Sequence, residues 1–567
     1  MTETADTSTE SSGTEGSGEI RAARPNLLPT AVLLIGAALV YGAVATLTLL
    51  NGHASTEEVT YLIKSWWYTN GLVAPYTATD ATAQMPFYFY QLGFWQKLEG
   101  IGFLPARLTS IGLGVINGAL LFFICRRLTA NTLVATAAAF IFLGTPATAF
   151  YFATATPAAT VSALHLAAVW LIVGNLGRPR ALATVTMGLV CVALYFYRQN
   201  MILGIVVLAP LYIAAIGRKR WLHAGLLLAT VALITAAVLF SFPDKLGEYA
   251  LRLPVISPLL DSAHLLAPNF TLIDKGTQGA LTMGPAFDRI APAAFLDDFL
   301  LPYSGTMVLA LMLFGLAGGP LRVLWIAPLY FLWLAASHYL ASLGYCGGCI
   351  LSYAPYFSGI GALAAALSLA MIAHRARQNQ QPAGPFVLVG AVLAVTLNAF
   401  APNFALRADA RGFPIPMIAQ SQPVPELKDI ETMARWISSN TPVREPILVL
   451  HGMGRQSVAS LPYAVFLSGH MLPPQSLDPA ASRRVVNPKL STVAQESVQA
   501  AIEEESLWTD ATLARWIARD YDIILFQEDK TTDQRAQLAT IMAQFDLAAS
   551  TVYRGAMVHL YKRKAVQ

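Results

Sequence analysis

Long apolar runs separated by short polar turns dominate this chain. The first, 26–50, is long enough to cross a bilayer. Comparable runs recur at 104–125, 132–150, 157–174, 181–197, 201–216, 222–241, 300–318, 322–340, 353–373 and 385–403, about eleven in all. Basic residues fall at alternate ends of these runs: Arg21/Arg24, Arg126/Arg127, Arg178/Arg180, Arg218/Lys219/Arg220, Arg322 and Arg375/Arg377. A cytoplasmic position for all of them satisfies the positive-inside rule, with the N-terminus inside and the C-terminus outside. Three larger polar pieces then fall on the outer side: loop 51–103, loop 242–299 and the tail 404–567.

The tail switches to a different pattern. Glu426–Ser439 reads as a helix, Pro446–Leu450 as a strand, Thr509–Arg519 as a helix, Tyr521–Phe526 as a strand and 532–545 as a helix, followed by a terminal hairpin ending in Val558–Tyr561. This alternation predicts a small extracytoplasmic α/β domain over 404–567. In the first outer loop, 55–69 reads as a helix capped by Thr56 or Ser55, lying along the outer membrane surface. Its spacing puts Glu57, Tyr61, Lys64 and Tyr68 on one face. The aromatic run 87–95 has the character of an interfacial belt.

Composition fixes the class. Charged residues are 12% of the 567 and hydrophobic residues 55%, about half the charge of an average soluble domain. The prediction is a polytopic α-helical membrane protein, with 26–403 as its membrane module. Residues 1–25 are a polar, disordered cytoplasmic tail; they lack the apolar core of a signal peptide. With a net charge of only +4 and no basic tract outside the membrane-flanking loops, nucleic acid is not a partner. Cys125 and Cys191 fall in apolar runs as packing residues. Cys346 and Cys349, in an outer loop, have the spacing of a redox pair, but an oxidising compartment favours a local structural disulfide.

The candidate chemistry lies in the first outer loop and the runs that follow it. Glu57-Glu58-Val59-Thr60-Tyr61 is followed by Met85-Pro86-Phe87-Tyr88-Phe89-Tyr90, Pro105-Ala106-Arg107-Leu108-Thr109-Ser110, Cys125-Arg126-Arg127-Leu128, Gly144-Thr145-Pro146, Ala155-Thr156-Pro157 and Tyr197-Arg198-Gln199-Asn200. In order and spacing, these segments over residues 50–205 resemble the polyprenyl-phosphate-sugar glycosyltransferases of the GT-C class, in the protein O-mannosyltransferase-like branch that includes lipid A aminoarabinose transferases. Two departures stand out. The family's leading Asp is Glu57 here, and its second-loop Asp is Ala158. The second change leaves any divalent-metal role open, and no other cofactor is implied.

The resemblance implies an inverting transfer of a sugar from a polyprenyl-phosphate carrier to an extracytoplasmic glycan, lipid or protein; alanine-rich composition and single-chain topology point to a bacterial inner membrane. Such a reaction needs a carboxylate to take the acceptor's proton and cations to stabilise the departing phosphate. Glu57 is the expected base, with Glu58 as its neighbour or replacement. Lys64, Arg107 and Arg198 are expected at the donor phosphate, and Tyr61, Tyr88 and His338 against substrate. No dinucleotide fingerprint or P-loop is present, which fits a donor delivered through the membrane. The acidic pair also suits a helix N-terminus, and Arg107 an interfacial anchor. Two rival readings are a lipid-linked-sugar transporter or flippase, and a non-catalytic family member; no internal repeat of the transporter kind is visible.

Overall fold

The computed structural model describes residues 27–50, 56–71, 85–198, 201–217, 219–241, 350–400, 406–408, 414–416, 427–442, 445–451, 460–471, 521–528 and 535–564. The expected spans 300–318 and 322–340, outer loop 242–299, helix 509–519, His338, Cys346 and Cys349 lie outside the described residues.

The first half is helical: α1 (Leu27–Leu50), α2 (Thr56–Thr69), α3 (Pro86–Glu99), α4 (Phe103–Thr129), α5 (Thr132–Leu143), α6 (Pro146–Phe152), α7 (Ala158–Gly174), α8 (Ala181–Tyr197), α9 (Ile202–Ile216) and α10 (Arg220–Ser241). Two further helices follow, α11 (Ile350–Gln378) and α12 (Ala383–Phe400). Segments of α1, α4, α10 and α11 are long and apolar enough to cross a membrane, and α5, α7, α8, α9 and α12 contain shorter apolar helices. The run expected at 132–150 breaks into α5 and α6 at Gly144-Thr145-Pro146, where Pro146 cannot continue α5 but suits the first turn of α6.

Burial explains the bundle's layout. α5 is apolar on every side, and Leu133 to Phe142 are all buried, so it forms the centre, against α1, α4, α11 and α12. Its start is fixed by Asn131, whose side chain accepts from the Leu133 and Val134 N–H groups at 3.0 and 3.4 Å. Outer helices reverse the pattern of a water-soluble protein and turn large apolar side chains outward, among them Leu28 and Leu39 on α1 and Trp221 and Leu233 on α10. Surfaces of that kind belong against lipid. The chain is a polytopic helical membrane protein.

The C-terminal part forms a sheet. After a short hairpin of β1 (Leu406–Ala408) and β2 (Pro414–Pro416) come α13 (Leu427–Asn440), β3 (Ile447–His451), α14 (Ser460–Leu467), β4 (Ile523–Gln527), α15 (Arg535–Gln544), β5 (Phe545–Tyr553) and β6 (Ala556–Arg563). The strand order is β3-β4-β6-β5; β3 and β4 are parallel, and the other pairings are antiparallel. All five side chains of β4 are buried, as a central strand covered on both faces requires.

One apolar cluster joins the two halves. Val59, Leu62 and Ile63 of α2, Phe89 and Leu92 of α3 and Phe103 of α4 pack with Ile430 and Ile437 of α13, Leu461 and Tyr463 of α14, and Val558 and Leu560 of β6. This corrects the expectation for α2. From Glu58 to Tyr68 only Thr60 and Trp66 are even half-exposed, because α3 and α14 both pack against the helix. α2 is enclosed by protein rather than laid along a lipid surface.

Candidate active site

α2 and α3 form a tight pair. Gly93 makes it possible: a Cβ there would run into Thr69 Oγ1 and the Ser65 carbonyl. Across this contact Gln96 Nε2 donates to the Leu62 carbonyl at 3.1 Å and to Ser65 Oγ at 3.0 Å, and Lys97 Nζ donates to the Thr69 carbonyl at 2.8 Å. The C-terminal half of α2 is thereby held against α3.

Glu58 of α2 meets Arg107 of α4. Arg107 Nε and Nη2 each donate to one carboxylate oxygen at 3.0 Å, and both side chains are at most 2% exposed. The fork geometry is bidentate, the strongest form of this pairing. Two further bonds satisfy the pair. Arg107 Nη1 donates to the Thr48 carbonyl at the end of α1 (2.9 Å), and the Ala155 N–H donates to Glu58 Oε1 (2.7 Å). Four segments spread between Thr48 and Ala155, α1, α2, α4 and the turn before α7, are thus tied at one ion pair. The guanidinium also lies 5.0 Å from the Phe103 ring centroid.

Arg107, expected at the donor phosphate, has its Nε and Nη2 engaged by Glu58. Its position explains why, since the first turn of α4 faces the first turn of α2. Glu57 lies beside Glu58 on α2, and its side chain lies outside the described residues. Lys64 is 3% exposed on the same helix. Tyr61 and Tyr88 are buried edge-to-face neighbours with ring centroids 5.8 Å apart, and Tyr61 also packs on Phe89. α3 is two-sided: Tyr88 and Phe89 face protein, whereas Tyr90 and Phe94 are exposed, so only part of the aromatic run 87–95 has the character of a belt.

Arg198 closes the far side. It caps α8 in extended backbone, Nη1 donates to Met85 Sδ at 3.3 Å, and the guanidinium stands 5.3 Å from the Tyr356 ring of α11. The structure gathers Glu58, Lys64, Tyr61, Tyr88, Arg107 and Arg198 into the buried region where α2 and α3 meet the ends of the membrane helices. Ala158, in the first turn of α7, is 1% exposed among apolar neighbours.

Sequence reasoning missed three contributors. The Ala155 N–H is a backbone group, and nothing about an alanine marks it. Tyr356 looks like any aromatic of an apolar run. Tyr463 lies on α14, whose sequence SLPYAVFL is too short and too uniformly apolar to show a helical period. Its ring is 4.8 Å from that of Phe103, and Phe466 one turn later packs 5.7 Å from Trp66 of α2. Burial raises the Tyr463 phenol well above its ordinary range, with Arg107 opposing and Glu58 adding to that shift. Burial does the same to Tyr88, aided by Tyr61 and Glu58. Among the described residues no group of three or more His, Cys, Asp or Glu side chains is arranged to hold a metal ion.

Helices and burial together define a polytopic helical membrane protein. The similar solved structures include ArnT from Cupriavidus metallidurans bound to undecaprenyl phosphate, at TM-score 0.50 and 15% identity, covering 94% of this chain and 97% of that one. The apo state of the same ArnT gives 0.49 and 13% over the same shares. An oligosaccharyltransferase from Archaeoglobus fulgidus, tethered to an acceptor peptide, gives 0.40 and 12%, covering 95% of this chain and 74% of that one. No family model matches the chain, and no curated protein matches it.

Proposed function

We propose that this protein is an inverting glycosyltransferase that moves a sugar from a polyprenyl-phosphate carrier to an extracytoplasmic glycan, lipid or protein acceptor. The observation that carries this reading is the convergence on Glu58: segments singled out separately in the sequence, around Glu57-Glu58, Arg107 and Ala155, meet at one buried carboxylate. A membrane fold shared with an ArnT that binds undecaprenyl phosphate supports the same class of donor.

Glu57 is the general base. Glu58 has both oxygens engaged by Arg107 and one also by the Ala155 N–H, so it acts as the positioning group that fixes the first turn of α2. The acceptor hydroxyl or amine gives its proton to Glu57 as it attacks the anomeric carbon; the bond to the phosphate oxygen breaks, and polyprenyl phosphate leaves. Lys64 and Arg198 stabilise the charge gathering on that phosphate, with Arg107 contributing its field from the ion pair. Tyr61, Tyr88 and His338 contact substrate.

In this reading the protein lies in a bacterial inner membrane with about eleven spans in 26–403. The tail 1–25 is cytoplasmic, the α/β domain 404–567 lies on the extracytoplasmic side, and Cys346 and Cys349 form a disulfide there. The test is a transfer assay on the purified full chain in detergent, supplied with polyprenyl-phosphate sugars and host-membrane acceptors, scoring released polyprenyl phosphate. Glu57→Gln should lose on the order of 10²–10⁴-fold of the release with folding intact. Undiminished release would move the base away from Glu57. No release from the wild type that has bound the donor would favour a transporter.

A further inference from the structure

Two phenols beside the Glu58–Arg107 pair stand out. Tyr88 and Tyr463 are 1% and 0% exposed, and each hydroxyl is buried with no hydrogen-bond partner among the described residues. They come from opposite ends of the chain, α3 in the first outer loop and α14 in the C-terminal part. Electrostatically both have Glu58 as a neighbour, and Tyr463 has Arg107 as well. A buried hydroxyl without a partner costs roughly 1–3 kcal/mol, and native structures keep few of them. Two at one site point to a ligand that accepts both.

The chemistry of that ligand follows from the surroundings. Burial keeps both phenols protonated, so each offers an O–H donor. Lys64, Arg107 and Arg198 bring three cationic groups into the region, where Glu58 is the buried carboxylate among the described residues. Two neutral donors in a region where the described buried cations outnumber the carboxylate suit an oxyanion rather than a cation or an apolar group.

We infer that Tyr463, supplied by the C-terminal part, is a binding residue for the phosphate of a polyprenyl phosphate, acting with Tyr88 of the first outer loop. The C-terminal part is then a member of the site and not only a cover over it. This deepens the reading above, because it names the group that holds the departing phosphate.

The experiment measures binding of polyprenyl phosphate, of the matching uncharged polyprenol and of inorganic phosphate to the full-length protein in detergent. Wild type, Tyr463→Phe and Phe466→Leu are compared. Tyr463→Phe keeps the ring against Phe103 and deletes only the hydroxyl. Loss of a hydrogen bond to a charged group should weaken polyprenyl phosphate roughly tenfold or more and leave polyprenol unchanged. Phe466→Leu disrupts the packing on Trp66 but keeps the hydroxyl, so it should preserve the phosphate-over-alcohol preference. Inorganic phosphate that competes against wild type and fails against Tyr463→Phe would add support, by assigning the recognition to the phosphate itself and not to the lipid. An unchanged preference in Tyr463→Phe would overturn the inference, and so would an equal loss in Phe466→Leu. A wild type that binds polyprenyl phosphate with this preference but transfers no sugar would sink the glycosyltransferase reading alone.

Discussion

Two ion pairs with the same 3.0 Å arginine–carboxylate contact occupy opposite environments in this molecule. Glu58–Arg107 is buried where α1, α2, α4 and the turn before α7 meet. Arg563–Asp522 is at the end of the two inner strands of the C-terminal sheet, with side chains 29% and 72% exposed, and its arginine also donates to the Tyr521 carbonyl. Equal distance does not mean equal consequence. In water the outer pair is screened and contributes little. The inner pair has given up its hydration, and its cost is offset by two bonds between the partners, one to Thr48 and one from Ala155. Such a site fixes geometry more than it adds stability, which is what the role proposed for α2 requires.

That contrast breaks or holds in measurable steps. The largest effect belongs to Arg107→Leu, which strands a buried carboxylate and should cost about 3–5 kcal/mol, read as a large drop in thermal stability in detergent. Glu58→Leu combined with Arg107→Leu should recover most of that loss while transfer stays abolished, separating positioning from stability. A double variant as unstable as the single one would count against this view of the pair.

Between the extremes lies His470, buried beside Thr441, Ser468 and the Pro442 carbonyl. Burial lowers its pKa below the ordinary histidine value, so the folded state favours the neutral ring. The sign follows: its contribution is full above about pH 6.5 and is lost as pH falls through the lowered folded value. Melting measured at pH 7.5 and 5.5 should show a decline on acidification that His470→Gln reduces. The smallest effect is expected from Asp522→Asn, about 0–1 kcal/mol and weaker still at high salt; a loss approaching that of Arg107→Leu would erase the comparison.

The helices of the membrane part were legible because apolar runs need no partner to be recognised. α1, α4, α7, α8, α9, α10, α11 and α12 begin and end within several residues of the expected runs. α13, β3 and β4 likewise follow the expected segments Glu426–Ser439, Pro446–Leu450 and Tyr521–Phe526. The site was legible only in part. Glu58, Arg107 and Arg198 were noticed as charges in an apolar chain, yet nothing in the sequence says that Glu58 and Arg107, 49 residues apart, choose each other. Sequence alone therefore points Arg107 toward substrate and α2 toward a membrane surface.

Sequence by itself determined the class, the periodic elements and the short roster of charged residues able to do chemistry, since these follow from hydropathy and local geometry. Tertiary structure decided which of those charges neutralise one another, that α2 is enclosed by α3 and α14, and that Tyr463 arrives beside Arg107 from some 350 residues away. The physical reason is range. Burial, pairing and dielectric depend on neighbours brought together by packing, and those neighbours have no fixed separation along the chain.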